Sequence, residues 1–160
     1  RCYSDGDLRR TAFFKNSLQA AIPDKCKTWM DYNDNDEIGM DFLIRLPEVI
    51  LNKAEALAML TRDGDAKTEL EKLRSKRFAA APSVTETGEA LIDFIRDERR
   101  RELCFEGHRW FDLRRTTRQE LTKTYKGETY VLQKDDSRYT LRIPADAIEA
   151  NPGLEEENRE

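Results

Sequence analysis

The chain has 160 residues, enough for one modest domain with a core of its own. Charged residues and apolar residues each make up 38%, a balance that suits an amphipathic helical protein with a heavily charged exterior and excludes a disordered chain. With 28 basic against 32 acidic residues the net charge is -4, which excludes a general nucleic-acid binder.

In chain order, residues 1–45 hold aromatics and charges without a sustained period and read as irregular loops, with a short strand around Arg10 to Phe14. Within them Asp31, Asn33, Asn35 and Glu37 alternate like the start of a calcium loop. Position six of that loop would be Asp36 where glycine is needed, and position twelve Phe42 where glutamate is needed, so a polar surface loop is the better reading. Trp29 stands just before it and Tyr32 beside its first carboxylate, and aromatics beside amides and carboxylates are what sugar rings stack on and bond to. They are the candidate ligand-binding residues, against the plainer alternative that both are packed.

From Leu46 the pattern turns helical. Pro47 suits a first turn, and Leu46, Val49, Ile50, Ala54, Leu57 and Leu60 recur on one face, with Glu48, Asn52 and Glu55 opposite. Lys53 projects from the apolar side and needs an acid or a route to water. A turn at Arg62 to Asp65 leads to a second helix marked by Ala66, Leu70 and Leu73, and so short a connection makes the two an antiparallel pair. Their combined length is about that of one ~34-residue tetratricopeptide unit, with no second copy in the chain.

After a break at Ala79 to Ser83, a third helix runs from Gly88 to Phe105, and Gly107 is placed to end it in a left-handed cap. At ~100° per residue, Leu91, Phe94, Ile95 and Phe105 share a face whose middle holds Glu98 and Glu102. Those carboxylates are therefore expected to be at least partly buried, where each costs several kcal/mol, to order of magnitude, unless it is paired.

The run Glu98 to Arg115, ERRRELCFEGHRWFDLRR, places six arginines, four carboxylates and no lysine in eighteen residues. An all-arginine set suits planar, two-point pairing to carboxylates. The expected structural charge network comprises Glu98, Glu102, Arg109, Asp112 and Arg114, with Arg109, Arg114 and Arg115 folding back after Gly107 to meet the acids. A catalytic use has little support: His108 is the only histidine, no nucleophile elbow or phosphate loop accompanies it, and Glu102, Glu106 and His108 lack the spacing of helical metal sites. No metal and no cofactor is expected. The odd set Cys2, Cys26 and Cys104 gives neither a zinc pattern nor a disulfide framework.

Beyond Thr117, period-2 runs at Glu128 to Leu132 and Arg138 to Ile143 predict a hairpin with the loop Gln133 to Ser137, then a helical turn at Ala145 to Ile148 and a closing turn at Asn151 to Gly153. The expected architecture is mainly α: a tetratricopeptide-like pair plus a further helix over 46–115, irregular loops over 1–45, and a small hairpin and tail over 116–160, all in one domain.

Four segments in order resemble the SusD/RagB outer-membrane nutrient-binding lipoproteins. They are RLPEVILNKAEAL from Arg45, LEKLRSKRF from Leu70, ERRRELCFEGHRWFDLRR from Glu98 and YTLRIPADAIEANPGL from Tyr139. Lys53, where the family more often has an aromatic, and the ending EEENRE depart from its pattern. The resemblance implies the C-terminal part of a longer chain held on the outer face of the outer membrane by an N-terminal lipid anchor outside this sequence. It implies a non-enzymatic protein that captures an oligosaccharide or similar nutrient and passes it to a SusC-like TonB-dependent transporter. It also implies that Glu98 to Arg115 is scaffold. A helical-repeat module that only docks a protein partner is the competing expectation.

Overall fold

The computed structural model describes residues 3–16, 21–23, 25 and 44–154. Trp29, Tyr32 and the calcium-like loop lie outside the described residues. The chain divides into two compact units, Arg1–His108 and Arg109–Glu160.

In the first unit, α1 (Arg9–Ala12) leads into strand β1 (Phe14–Asn16), which pairs antiparallel with β2 (Ala21–Pro23). Where a strand was expected from Arg10, the chain makes one helical turn first. Three longer helices follow: α2 (Leu46–Met59), α3 (Asp63–Arg74) and α4 (Gly88–Glu102). Pro47 sits in the first turn of α2, where its missing N–H costs nothing.

The core is the meeting of these three helices. Leu51, Ala54 and Ala58 of α2 pack with Ala66, Leu70 and Leu73 of α3 and with Leu91 and Ile95 of α4, all nearly or fully buried. Alanines at 54, 58 and 66 let the backbones approach closely. The buried side of α2 is therefore rotated from the expected stripe, and Leu46, Val49 and Leu60 are exposed. The expected solvent face is turned partly inward, with Glu55 buried and Glu48 half-buried while Asn52 stays exposed. Glu55 is 5% exposed and pairs with Arg96 at 3.1 Å, while Arg99 Nη1 donates to Asn52 Oδ1 at 2.6 Å and Arg99 Nη2 lies 3.4 Å from Glu48. An apolar-period reading misses this side because arginines of α4, not apolar side chains, cover it. Lys53 meets Glu69 of α3 at 2.7 Å.

Helix α4 ends at Glu102, three residues before the expected end, and Phe105 (φ 66°) and Gly107 (φ 79°) both take left-handed conformations. Phe105 is consequently off the helix and half exposed instead of on its core face.

The segment from His108 is a helix, α5 (His108–Arg115), of which residues from Arg109 belong to the second unit. The hairpin there is formed by β3 (Leu121–Tyr125) and β4 (Glu128–Leu132), with Tyr125 opposite Glu128. It replaces the expected pairing of 128–132 with 138–143. Lys126 (φ 49°) and Gly127 (φ 85°) make a two-residue turn with both φ positive, the geometry that matches strand twist. Residues Ser137–Tyr139 form a 3-10 turn capped by Asp136, which accepts from Arg138 N–H at 2.9 Å. Tyr139, fully buried, stacks on Trp110 with centroids 5.1 Å apart and donates its hydroxyl to the Gln119 carbonyl. A last helix, α6 (Ala145–Ala150), follows Pro144. Among the described residues no helix is long and apolar enough to cross a membrane.

Candidate functional site

Glu98 and Glu102, one turn apart on α4, are both completely buried. Their surroundings explain how two carboxylates survive there. Glu98 Oε1 lies 2.7 Å from Arg9 Nη1, off the axis of a good hydrogen bond but close as an ion pair. Its Oε2 accepts from Arg101 Nη2 at 2.8 Å and Arg74 Nη1 at 3.2 Å. Glu102 accepts from Arg77 Nε and Nη2, both at 2.9 Å, from Arg45 Nη1 at 2.8 Å and from Arg9 Nη1 at 3.2 Å. Arg9 is itself gripped by Asp7 through Nε at 2.9 Å and Nη2 at 2.7 Å. Glu106 closes the far end against Arg45, at 2.8 Å from both Nε and Nη2, and against Lys25.

Within the first unit the arginines paired with the two buried acids are thus Arg9, Arg45, Arg74, Arg77 and Arg101, whereas Arg109, Arg114 and Arg115, expected from nearness in sequence, belong to the second unit. Arg109, Asp112 and Arg114 lie in the second unit, where Asp112 pairs with Arg115 at 3.0 Å. Four of the five partners come from segments distant along the chain, Arg9 being 93 residues from Glu102. Only Arg101 is local.

Electrostatics follow the geometry. Burial by itself would raise the Glu102 carboxyl, but hydrogen bonds and charge from Arg77 and Arg45 outweigh it and bring the pKa down to about 2. Burial also opposes the charge on Arg9, yet Asp7 and Glu98 hold its pKa above the ordinary value. Glu106 is lowered despite burial, by Arg45 and Lys25. Glu102, Glu106, Arg9 and Arg45 are thus held in their charged forms at neutral pH.

That state does not suit proton transfer. A general acid needs a carboxyl whose pKa is raised toward neutrality, and Glu102 is displaced the other way. His108 Nδ1 is 3.4 Å from Arg99 Nη2 and 3.8 Å from Glu48. Among the described residues no group of three His, Cys, Asp or Glu is placed to hold a metal ion.

Beside the network opens a cleft of about 580 Å³, between the stretch Tyr3 to Asp5, the C-terminal part of α3, the 82–86 connection and α4. Sequence reasoning missed it, since no local pattern marks where those four segments converge. Its most buried lining residues are Arg74 and Phe78, each 5% exposed. The Arg74 guanidinium lies 4.9 Å from the Phe78 ring centre and 5.1 Å from that of Phe94, and Nη2 donates to the Pro82 carbonyl at 3.1 Å. Its buried Nε has no hydrogen-bond partner. Arg101 also lines the cleft, 5.9 Å from the Phe94 ring centre, and its one side-chain bond among the described residues goes to Glu98. Asp5 and Ser83 are exposed at the rim, and Glu86 is half-buried there.

Comparison with known proteins gives three findings. A family model described as the SusD family matches residues 22–159. A SusD-like protein P38 of Formosa agariphila is 37% identical over 84 residues, which is 48% of this chain and 17% of that protein. The crystal structure of a SusD-like carbohydrate binding protein from Bacteroides vulgatus superposes with a TM-score of 0.64 at 24% identity, over 99% of this chain and 40% of that one. The chain therefore spans well under half the length of either relative.

Proposed function

Since the chain belongs to the SusD family, we propose that it is part of a non-catalytic glycan-binding protein that delivers oligosaccharide to a SusC-like TonB-dependent transporter. The match across residues 22–159 carries this reading. The Bacteroides vulgatus protein that shares this fold, a SusD-like carbohydrate binding protein, supports it. The proposed location is the outer face of the outer membrane, held there by a lipid anchor.

Within this reading Trp29 and Tyr32 are proposed stacking residues for sugar rings, and Glu98 and Glu102 are structural. The carboxylate with the most donors, Glu102, is saturated by protein arginines and so has little capacity left for substrate. Calorimetry of the full-length protein against a panel of oligosaccharides, with chromatography of the mixture afterwards, tests it. Binding with the glycan recovered intact is expected. Cleaved product would overturn the non-catalytic assignment, and absence of binding across the panel would overturn the glycan assignment.

The exposed Ile44, Leu46, Val49 and Leu60 favour a second reading, in which this region docks protein and binds no ligand of its own. Transporter capture that survives loss of every exposed aromatic, with no sugar bound by the parent protein, would favour it.

A further inference from the structure

We infer that the cleft beside the charge network is a subsite for an acidic sugar, one carrying a carboxylate such as a uronic acid. This rests on the glycan-binding reading and specifies a ligand class and a place for it.

Two guanidiniums, Arg74 and Arg101, line the cleft and share the single carboxylate oxygen Glu98 Oε2. Arg9, on the other oxygen of Glu98, is already engaged by Asp7 and Glu102. At Glu98 Oε2 two guanidiniums meet one carboxylate oxygen, while the acids of the lining, Asp5 and Glu86, stand at the rim. Arg101 has donors beyond the one given to Glu98, and Arg74 Nε is a buried donor without a partner. A planar fork with spare N–H groups is matched best by a carboxylate, which it can take at two points.

The remaining lining fits the rest of such a ligand. Phe94, partly exposed, offers the edge of a ring, while Asp5, Ser83 and Glu86 offer acceptors and a hydroxyl at the rim, where sugar hydroxyls would lie. Acids at the rim and arginines on the floor orient the ligand with its carboxylate inward. About 580 Å³ accommodates one or two sugar rings.

The test is NMR titration of the full-length protein with D-glucuronate and, at equal ionic strength, D-glucose, on the parent, Arg101→Gln and Ser83→Phe. Ser83→Phe narrows the exposed mouth without touching the charge network, so it separates loss of the site from loss of the fold. The expected result is saturable shifts at Tyr3 to Asp5 and 82–86 with glucuronate, at least tenfold weaker binding of glucose, and at least tenfold weakening of glucuronate in both folded variants. Equal binding of the two sugars, or undiminished glucuronate binding by folded Ser83→Phe, would overturn the inference. Oligosaccharide binding that persists in Ser83→Phe beside absent glucuronate binding would sink the cleft assignment alone and leave the glycan-binding reading standing.

Discussion

Arg77 holds Glu102 at two points, Nε on Oε2 and Nη2 on Oε1, both at 2.9 Å, so the last turn of α4 is clamped to the chain that follows α3. This fork is available to arginine and not to lysine. Arg77→Lys keeps the charge and loses the second bond, and should lower unfolding free energy by about 1 to 2 kcal/mol. Urea denaturation of both forms measures it. An unchanged midpoint would show that charge alone suffices.

Arg9 bridges Asp7, Glu98 and Glu102 with 1% of its side chain exposed. Its truncation leaves buried carboxylates short of a donor, the costly way to break such a set. Arg9→Met is expected to destabilise by about 3 to 5 kcal/mol, as for removal of one partner from a buried pair. Thermal unfolding of the variant checks this, and a loss below about 1 kcal/mol would mean that the neighbouring arginines compensate.

Gly107 and Gly64 should respond oppositely to alanine. Gly107 sits at φ 79°, which alanine adopts at a cost of about 1 kcal/mol, whereas Gly64 lies inside α3 with open space around its Cβ position. Gly64→Ala is expected to be neutral or to stabilise by up to about 1 kcal/mol. Denaturant midpoints of the two variants, measured side by side, decide the matter.

Leu70, fully buried among Leu51, Leu73 and Leu91, is a core residue of the helical contact. Leu70→Ala should cost about 2 to 5 kcal/mol through lost transfer energy and the cavity left behind. Calorimetric unfolding would register this as a drop in Tm.

Much of the helical layout was legible in the sequence because it is written in local signals: Pro47 opening α2, the Arg62 to Asp65 turn, and Gly107 beyond α4. The inward placement of Glu98 and Glu102 was also legible, since the apolar residues around them fix which side of α4 faces the core. Their partners were not. Arg9, Arg45, Arg74 and Arg77 are brought to them by packing between distant segments, and no spacing rule connects residues so far apart. The hairpin was misassigned because Leu121 to Tyr125 carries little apolar alternation, so the register is set by the Lys126–Gly127 turn and not by a buried face. Of the candidate site, the cleft was illegible for the same reason as the network, and Trp29 and Tyr32 lie outside the described residues.

The central claim is that buried carboxylates of α4 paired with arginines hold the first unit together, Glu102 doing so as an ion. Glu102 reports on it most directly. Its folded pKa of about 2 lies below the ordinary value of 4.5, so the stability it contributes is fully present above about pH 4.5 and is lost as pH falls through 2. Unfolding free energies of the parent and Glu102→Gln should be measured from pH 7 to pH 3. The account predicts a gap on the order of 3 kcal/mol at neutral pH that narrows steadily below about pH 4.5. A gap that is absent, or that stays constant down to pH 3, would contradict it.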